Sequence, residues 1–240
     1  MKNRNYFIIG IVLALFVVMS SCKKESSPAG TDQNAPTGTV STITGLGPNA
    51  GHPSGTGFTL PQNIKIIGSI RGGMPYGKVV NKDYTGPFPY TNNPKSWVDY
   101  GSGTYVNLYI KFYNTSTTPY NLALPGGLIF CDSLDAHGFG TYQKGLILQD
   151  VTIPVPALDT AFACIRAYCL NHTLMASSYD AVYYIGPVTN NQDLNQIVTI
   201  MDLKQYPFGQ EYDVQNIVWN VTDYGLTLTA AEISYLNSLP

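Results

Sequence analysis

Between Thr104 and Tyr113 the side chains alternate without interruption. Val106, Leu108, Ile110 and Phe112 point one way, and Tyr105, Asn107, Tyr109, Lys111 and Tyr113 the other. A period of two belongs to an extended chain whose successive side chains leave opposite faces, so this stretch is a half-buried antiparallel strand. The same period runs from Ala161 to Cys169. There the odd positions Ala161, Ala163, Ile165, Ala167 and Cys169 are small or apolar, and the even ones carry Phe162, Cys164, Arg166 and Tyr168. Further β signals lie in Ile64 to Ile70, bounded by Pro61 and Gly72-Gly73, in Leu122 to Cys131, interrupted by Pro125-Gly126-Gly127, and in Gly145 to Val155.

The last third changes period. Leu194, Ile197, Val198 and Met201 fall at helical spacing behind Asn190-Asn191, with Asp193 in the first turn. Val214, Ile217, Val218 and Val221 repeat the spacing, and Gly225 is placed to end that helix. Thr229 and Glu232 form a capping-box pattern ahead of Ile233, Leu236 and Leu239. Strands followed by helices predict an α+β fold, an antiparallel β-sandwich or barrel followed by two to three C-terminal helices, in a single extracytoplasmic domain from 58 to 240.

Residues 1 to 57 read differently. Lys2 and Arg4 precede an apolar run from Tyr6 to Met19, the layout of an export signal and short for a membrane span. The run ends in Met19-Ser20-Ser21-Cys22, which resembles the bacterial lipobox. The resemblance implies a signal peptide over 1–21 and a Cys22 that is diacylated and becomes the new N-terminus, mooring the protein to a membrane. Lys23-Lys24-Glu25 is similar to the charged export tag of surface lipoproteins, a resemblance that implies a location in the bacterial envelope, on the outer membrane and the cell surface. From Lys23 to Gly57, 21 of 35 residues are Gly, Pro, Ser or Thr, so 22–57 is expected to be a flexible tether. Only 12% of the chain is charged and the formal charge is -2, which excludes a nucleic-acid surface.

With Cys22 taken by lipid, Cys131, Cys164 and Cys169 remain, an odd count for an oxidising compartment. Alternation sends Cys164 and Cys169 to opposite faces, so any disulfide is expected between Cys131 and Cys164, leaving Cys169 as the unpaired thiol on the core face. In the second helix Gln215 and Trp219 are i, i+4 neighbours beside the Val/Ile stripe, where the indole can cover the carboxamide. A buried glutamine needs hydrogen-bond partners, which gives it a specific role.

Tyr168-Cys169 and Val214-Gln215-Asn216-Ile217-Val218-Trp219, continued by Asn220-Val221-Thr222-Asp223, resemble the two motifs of bacterial surface thioester domains. The resemblance implies that Cys169 supplies the sulfur and Gln215 the acyl carbon of an internal thioester. Trp219 would shield that bond, and a nucleophile on an extracellular partner would open it in covalent adhesion.

Two alternatives stay open: a structural envelope lipoprotein without a reactive site, and a glycan-binding accessory lipoprotein. The second draws on the aromatic-rich stretch Arg71 to Gly103, with Tyr90 and Trp97 as ligand-binding candidates. The expected partners are therefore the membrane, through the N-terminal lipid, and an extracellular protein or glycan. Other chemistry is poorly supplied. His52, His137 and His172 lack metal-ligand spacing, and Asp132, Asp135 and His137 fit a polar turn. Cys169 and His172 lie three residues apart without an orienting third group, and there is no G-x-S-x-G or phosphate loop. The sequence therefore predicts no catalytic residue, no metal, no cofactor and no enzyme.

Overall fold

The computed structural model describes residues 41–73, 97–133, 140–205 and 209–240. The strands in chain order are β1 (Gly55–Thr56), β2 (Ile64–Ile66), β3 (Ile70–Gly73), β4 (Val98–Tyr100), β5 (Val106–Asn114), β6 (Tyr120–Leu124), β7 (Leu128–Asp132), β8 (Gly145–Leu146), β9 (Val151–Val155), β10 (Thr160–Cys169) and β11 (Val182–Thr189). Helices α1 (Gln192–Met201), α2 (Glu211–Thr222) and α3 (Ala230–Ser238) follow. Six strands close an antiparallel barrel in the order β5-β3-β11-β7-β8-β10, with β10 pairing back onto β5. The chain is α+β, and the barrel, not the sandwich, is the β architecture.

The alternating strands meet on the barrel wall. Residues 160–167 of β10 pair in register with 106–113 of β5, Ala163 opposite Ile110 and Ile165 opposite Leu108. Val106, Leu108, Ile110, Phe112, Ala163, Ile165, Ala167 and Cys169 all turn inward into one buried cluster. The β6–β9 ribbon adds Leu122, Leu124, Val151, Ile153 and Val155 to it.

A second cluster lies on the outside of β7, β8 and the end of β10. Ile129, Cys131, Leu146, Leu148, Tyr168 and Leu170 meet Leu194, Ile197, Met201, Val214, Val218 and Leu236 from the three helices there. The sheet is thus buried on both faces over this patch. The helix signals hold: Asn191 caps α1 through a bond from the Leu194 N–H, Thr229 and Glu232 form the capping box of α3, and Gly225 follows α2 at φ 63°.

Two sequence expectations change. β11 did not stand out because Gly186-Pro187 interrupts its alternation. The pairing with β7 shifts register between Ile185 and Val188, and Gly186 leaves room for the Cys131 sulfur. The tether reading also fails for 41–57. Leu46 is buried among the helices, the Gly47 N–H donates to the Leu170 carbonyl at 2.8 Å, the Ser41 N–H donates to that of Asp223, and β1 pairs with β11. The composition that suggested coil supplies tight turns instead, and main-chain hydrogen bonds carry the order that apolar side chains usually carry.

Gly47 makes this approach possible. Its φ is 57°, and a Cβ there would lie 2.0 Å from the Thr222 carbonyl oxygen. Gly47→Ala should cost more than about 2 kcal/mol in urea unfolding. Gly57→Ala, where a Cβ meets nothing within 4 Å, should change stability by less than about 0.5 kcal/mol.

Candidate functional site

At its C-terminal end β10 runs out of neighbours after pairing Cys169 with Gly145 of β8, and the main chain of Cys169 has one edge left over. Helix α2 crosses that edge. Val214, Ile217, Val218 and Val221 hold it against the outer cluster, and this fixes where Gln215 enters the protein. The Cys169 N–H donates to Gln215 Oε1 at 2.8 Å, and Gln215 Nε2 donates to the Cys169 carbonyl, also at 2.8 Å. The carboxamide therefore lies along the strand as an adjacent peptide group would. Both residues are fully buried. The two residues that the sequence singled out are 46 positions apart, and the Gln215 carboxamide meets the main chain of Cys169.

The Cys169 sulfur accepts a hydrogen bond from the Asn171 N–H at 3.3 Å. Burial pushes its thiol up to about 12, against the smaller downward pulls of the Trp219 indole N–H and the Asn171 N–H; the charge of Asp223 adds to the rise. The indole nitrogen is buried and has no full hydrogen bond, so its contact with the sulfur is weak. Trp219 is itself held edge-on by Tyr105 at 5.1 Å and by the His172 ring at 4.5 Å. Trp219 and Tyr105 pack into the same buried cluster as Cys169.

A polar girdle completes the site. Asn171 Nδ2 donates to the Gly47 carbonyl at 2.6 Å and its Oδ1 accepts from the Lys144 N–H. The His172 N–H donates to Asp223 Oδ1 at 2.8 Å, and the Thr222 hydroxyl to Asp223 Oδ2 at 2.7 Å. Asn171, Asp223 and Gly47 had no assigned part in the sequence reading. Asn171 lies two residues past the cysteine and Asp223 closes the second motif, so proximity along the chain was the available signal. Gly47 offered none.

The remaining candidates separate. His172 meets Trp219 edge-on, and it is the Asn171 N–H that reaches the thiol. Trp97 lies on the outer wall of the barrel against Tyr109 and Phe162. Cys22, Tyr90, Asp135 and His137 fall outside the described residues, while the Asp132 carboxylate accepts from the N–H groups of Thr141 and Tyr142. The expected Cys131–Cys164 disulfide is not formed: Cys131, Cys164 and Cys169 are all thiols. Cys131 is buried beneath the helices beside Gly186, whereas Cys164 faces Asp99 and Tyr109 on another part of the wall, so no rotation of the side chains joins them. Among the described residues no group of His, Cys, Asp and Glu is arranged to hold a metal ion, and no helix is long and apolar enough to cross a membrane.

No family model matches this chain. Curated proteins and solved structures give no match either. The site is therefore read from its own geometry.

Asp223 supplies a pH test. Burial lifts its carboxyl to about 6, against the pull of Thr222 and His172. Because the folded-state value is raised, this group's contribution to stability is complete below about pH 4 and is lost as pH rises through about 6. Asp223→Asn can still accept from the His172 N–H and can donate its amide N–H to the Thr222 hydroxyl, without the buried charge. It should raise stability at pH 7.5 by about 2 to 3 kcal/mol, with the gain vanishing below about pH 4 in thermal melts.

Proposed function

We propose that this protein is a lipid-moored surface protein that captures an extracellular partner covalently through an internal thioester between Cys169 and Gln215. The observation that carries the reading is the buried pair of hydrogen bonds that holds the Gln215 carboxamide on the main chain of Cys169, the residue that bears the thiol. In forming the bond, the Cys169 sulfur attacks the Gln215 side-chain carbonyl carbon. The thiol proton and the amide nitrogen leave as ammonia, and a C–S bond replaces the C–N bond. The Cys169 N–H is aimed at Oε1, the atom on which negative charge collects in the tetrahedral intermediate, and so supplies the oxyanion donor that the sequence did not identify. The Asn171 N–H meets the sulfur and would steady it as a thiolate. The tether of fold and helix removes the entropy cost of bringing the two groups together, and burial beneath Trp219 keeps hydrolytic water out.

Capture then needs an amine from the partner to reach the acyl carbon after Trp219 or His172 moves aside. The amine displaces the sulfur, an amide forms, and Cys169 returns as a thiol. The protein is consumed in the act, so it does not turn over. Cys22 and its acyl chains supply the mooring against which a covalent catch is useful.

A second reading is favoured by the same two bonds. Gln215 satisfies the unpaired edge of β10 and clips α2 to the barrel with no reaction at all. Gln215→Ala destabilises the protein under both readings, by about 1 to 3 kcal/mol for each buried group left unpaired, so stability does not discriminate between them. Intact mass does. Untreated purified protein should weigh one ammonia less than its sequence, methylamine should add across the bond, and Cys169→Ala should abolish both effects. A full mass with no methylamine uptake overturns the covalent reading and leaves the clip. With the thiol at about 12, bond formation in freshly refolded protein should quicken about tenfold per pH unit between about pH 6 and 9. Cys22→Ser should move the protein from the membrane to the soluble fraction on cell fractionation.

A further inference from the structure

The outer wall of the barrel carries a second, separate site. Tyr109 of β5 lies opposite Arg71 of β3 on one side and Cys164 of β10 on the other, and two residues along, Lys111 lies opposite Phe162. All of these side chains leave the sheet on its outer face, since Leu108, Ile110 and Phe112 fill the inner one. Trp97 stands over this row, edge-on to Tyr109 at 5.1 Å and to Phe162 at 5.3 Å. Between Trp97, Tyr109, Arg71, Lys111, Ile67 and Ser69 lies a cavity of about 330 Å³.

Its charge is one-sided. Arg71 and Lys111 are diagonal neighbours across β3 and β5, a relation that sets side-chain bases about 7 to 8 Å apart. No carboxylate lines the cavity, and neither cation has an ion pair among the described residues; Lys111 leans over the Phe162 ring at 5.7 Å. Two like charges this close repel each other, and an anion between them removes the repulsion while gaining charge-assisted hydrogen bonds. The walls also offer aromatic and aliphatic surface in Trp97, Tyr109 and Ile67, and an exposed hydroxyl in Ser69. The volume sits at the small end of ligand sites and suits a single ring.

We infer that this cavity binds one carboxylated sugar unit, a hexuronate, with the carboxylate between Arg71 and Lys111, the ring against Trp97 and Tyr109, and a ring hydroxyl at Ser69. An apolar ligand would leave two cations buried beneath it, and a neutral sugar would leave their repulsion in place. The site is independent of the thioester reading, and Cys169→Ala protein separates the two because no covalent catch is possible in it.

The test is calorimetric titration of Cys169→Ala protein with galacturonate and glucuronate trisaccharides, and with a glucose trisaccharide as the neutral control. At least one uronate should bind about tenfold or more tighter than the glucose trisaccharide, and tighter at low salt than at high. Arg71→Gln and Lys111→Met should each weaken that binding about tenfold, and Trp97→Ala should weaken it while the melting temperature identifies any variant that has lost its fold. Lys111→Met keeps the aliphatic stem, so its loss of affinity reports charge and not packing. Failure of both uronates to bind, equal binding of the neutral sugar, or full affinity in the Arg71→Gln, Lys111→Met double variant overturns the assignment.

Discussion

Two hydrogen bonds between the Gln215 carboxamide and the main chain of Cys169 join the helical layer to the barrel at the point where β10 loses its last partner. Most of a helix–sheet interface is held by apolar contact, which tolerates sliding. These bonds do not. They require one residue of α2 to stand at one height along one strand, and the burial of both groups makes any misplacement expensive. The orientation of the Trp219 ring, the position of His172 against it and the placement of Asp223 all follow from that fixed crossing.

The same constraint explains why a single contact can serve either stability or chemistry. A carboxamide hydrogen-bonded through both ends is well satisfied, and its nitrogen is a poor leaving group in water. Inside the protein its carbonyl oxygen already sits on the Cys169 N–H, and burial keeps the thiol of that residue protonated. The carboxamide is thus fully satisfied in the ground state, and any reaction of the proposed kind would start from that state.

Strict alternation in Thr104 to Tyr113 and Ala161 to Cys169 made the two main wall strands readable, including which face of each was inward. The three helices were equally plain because each carries an apolar stripe at helical spacing, with a start signal in α1 and α3 and the Gly225 stop after α2. Cys169 and Gln215 were nameable from residue type and resemblance, but their contact depends on where α2 lies across β10, which no local pattern encodes. β11 was hidden by its Gly-Pro interruption, β4 by its three-residue length, and the order in 41–57 by reliance on main-chain bonds. The disulfide expectation failed because parity along one strand says nothing about the distance to a cysteine on another.

The turn segment around Gly47 has a mechanical meaning. Travelling inward from Cys22, the first described hydrogen bonds to the rest of the fold come from Ser41 and Gly47, and their partners are Asp223, Leu170 and Asn171, the residues that frame the sulfur. Under the proposed lipid mooring at Cys22, tension entering from the N-terminal side would meet the frame of the site before any strand of the barrel. Such a pull would loosen this corner first and so link load to the exposure of Cys169.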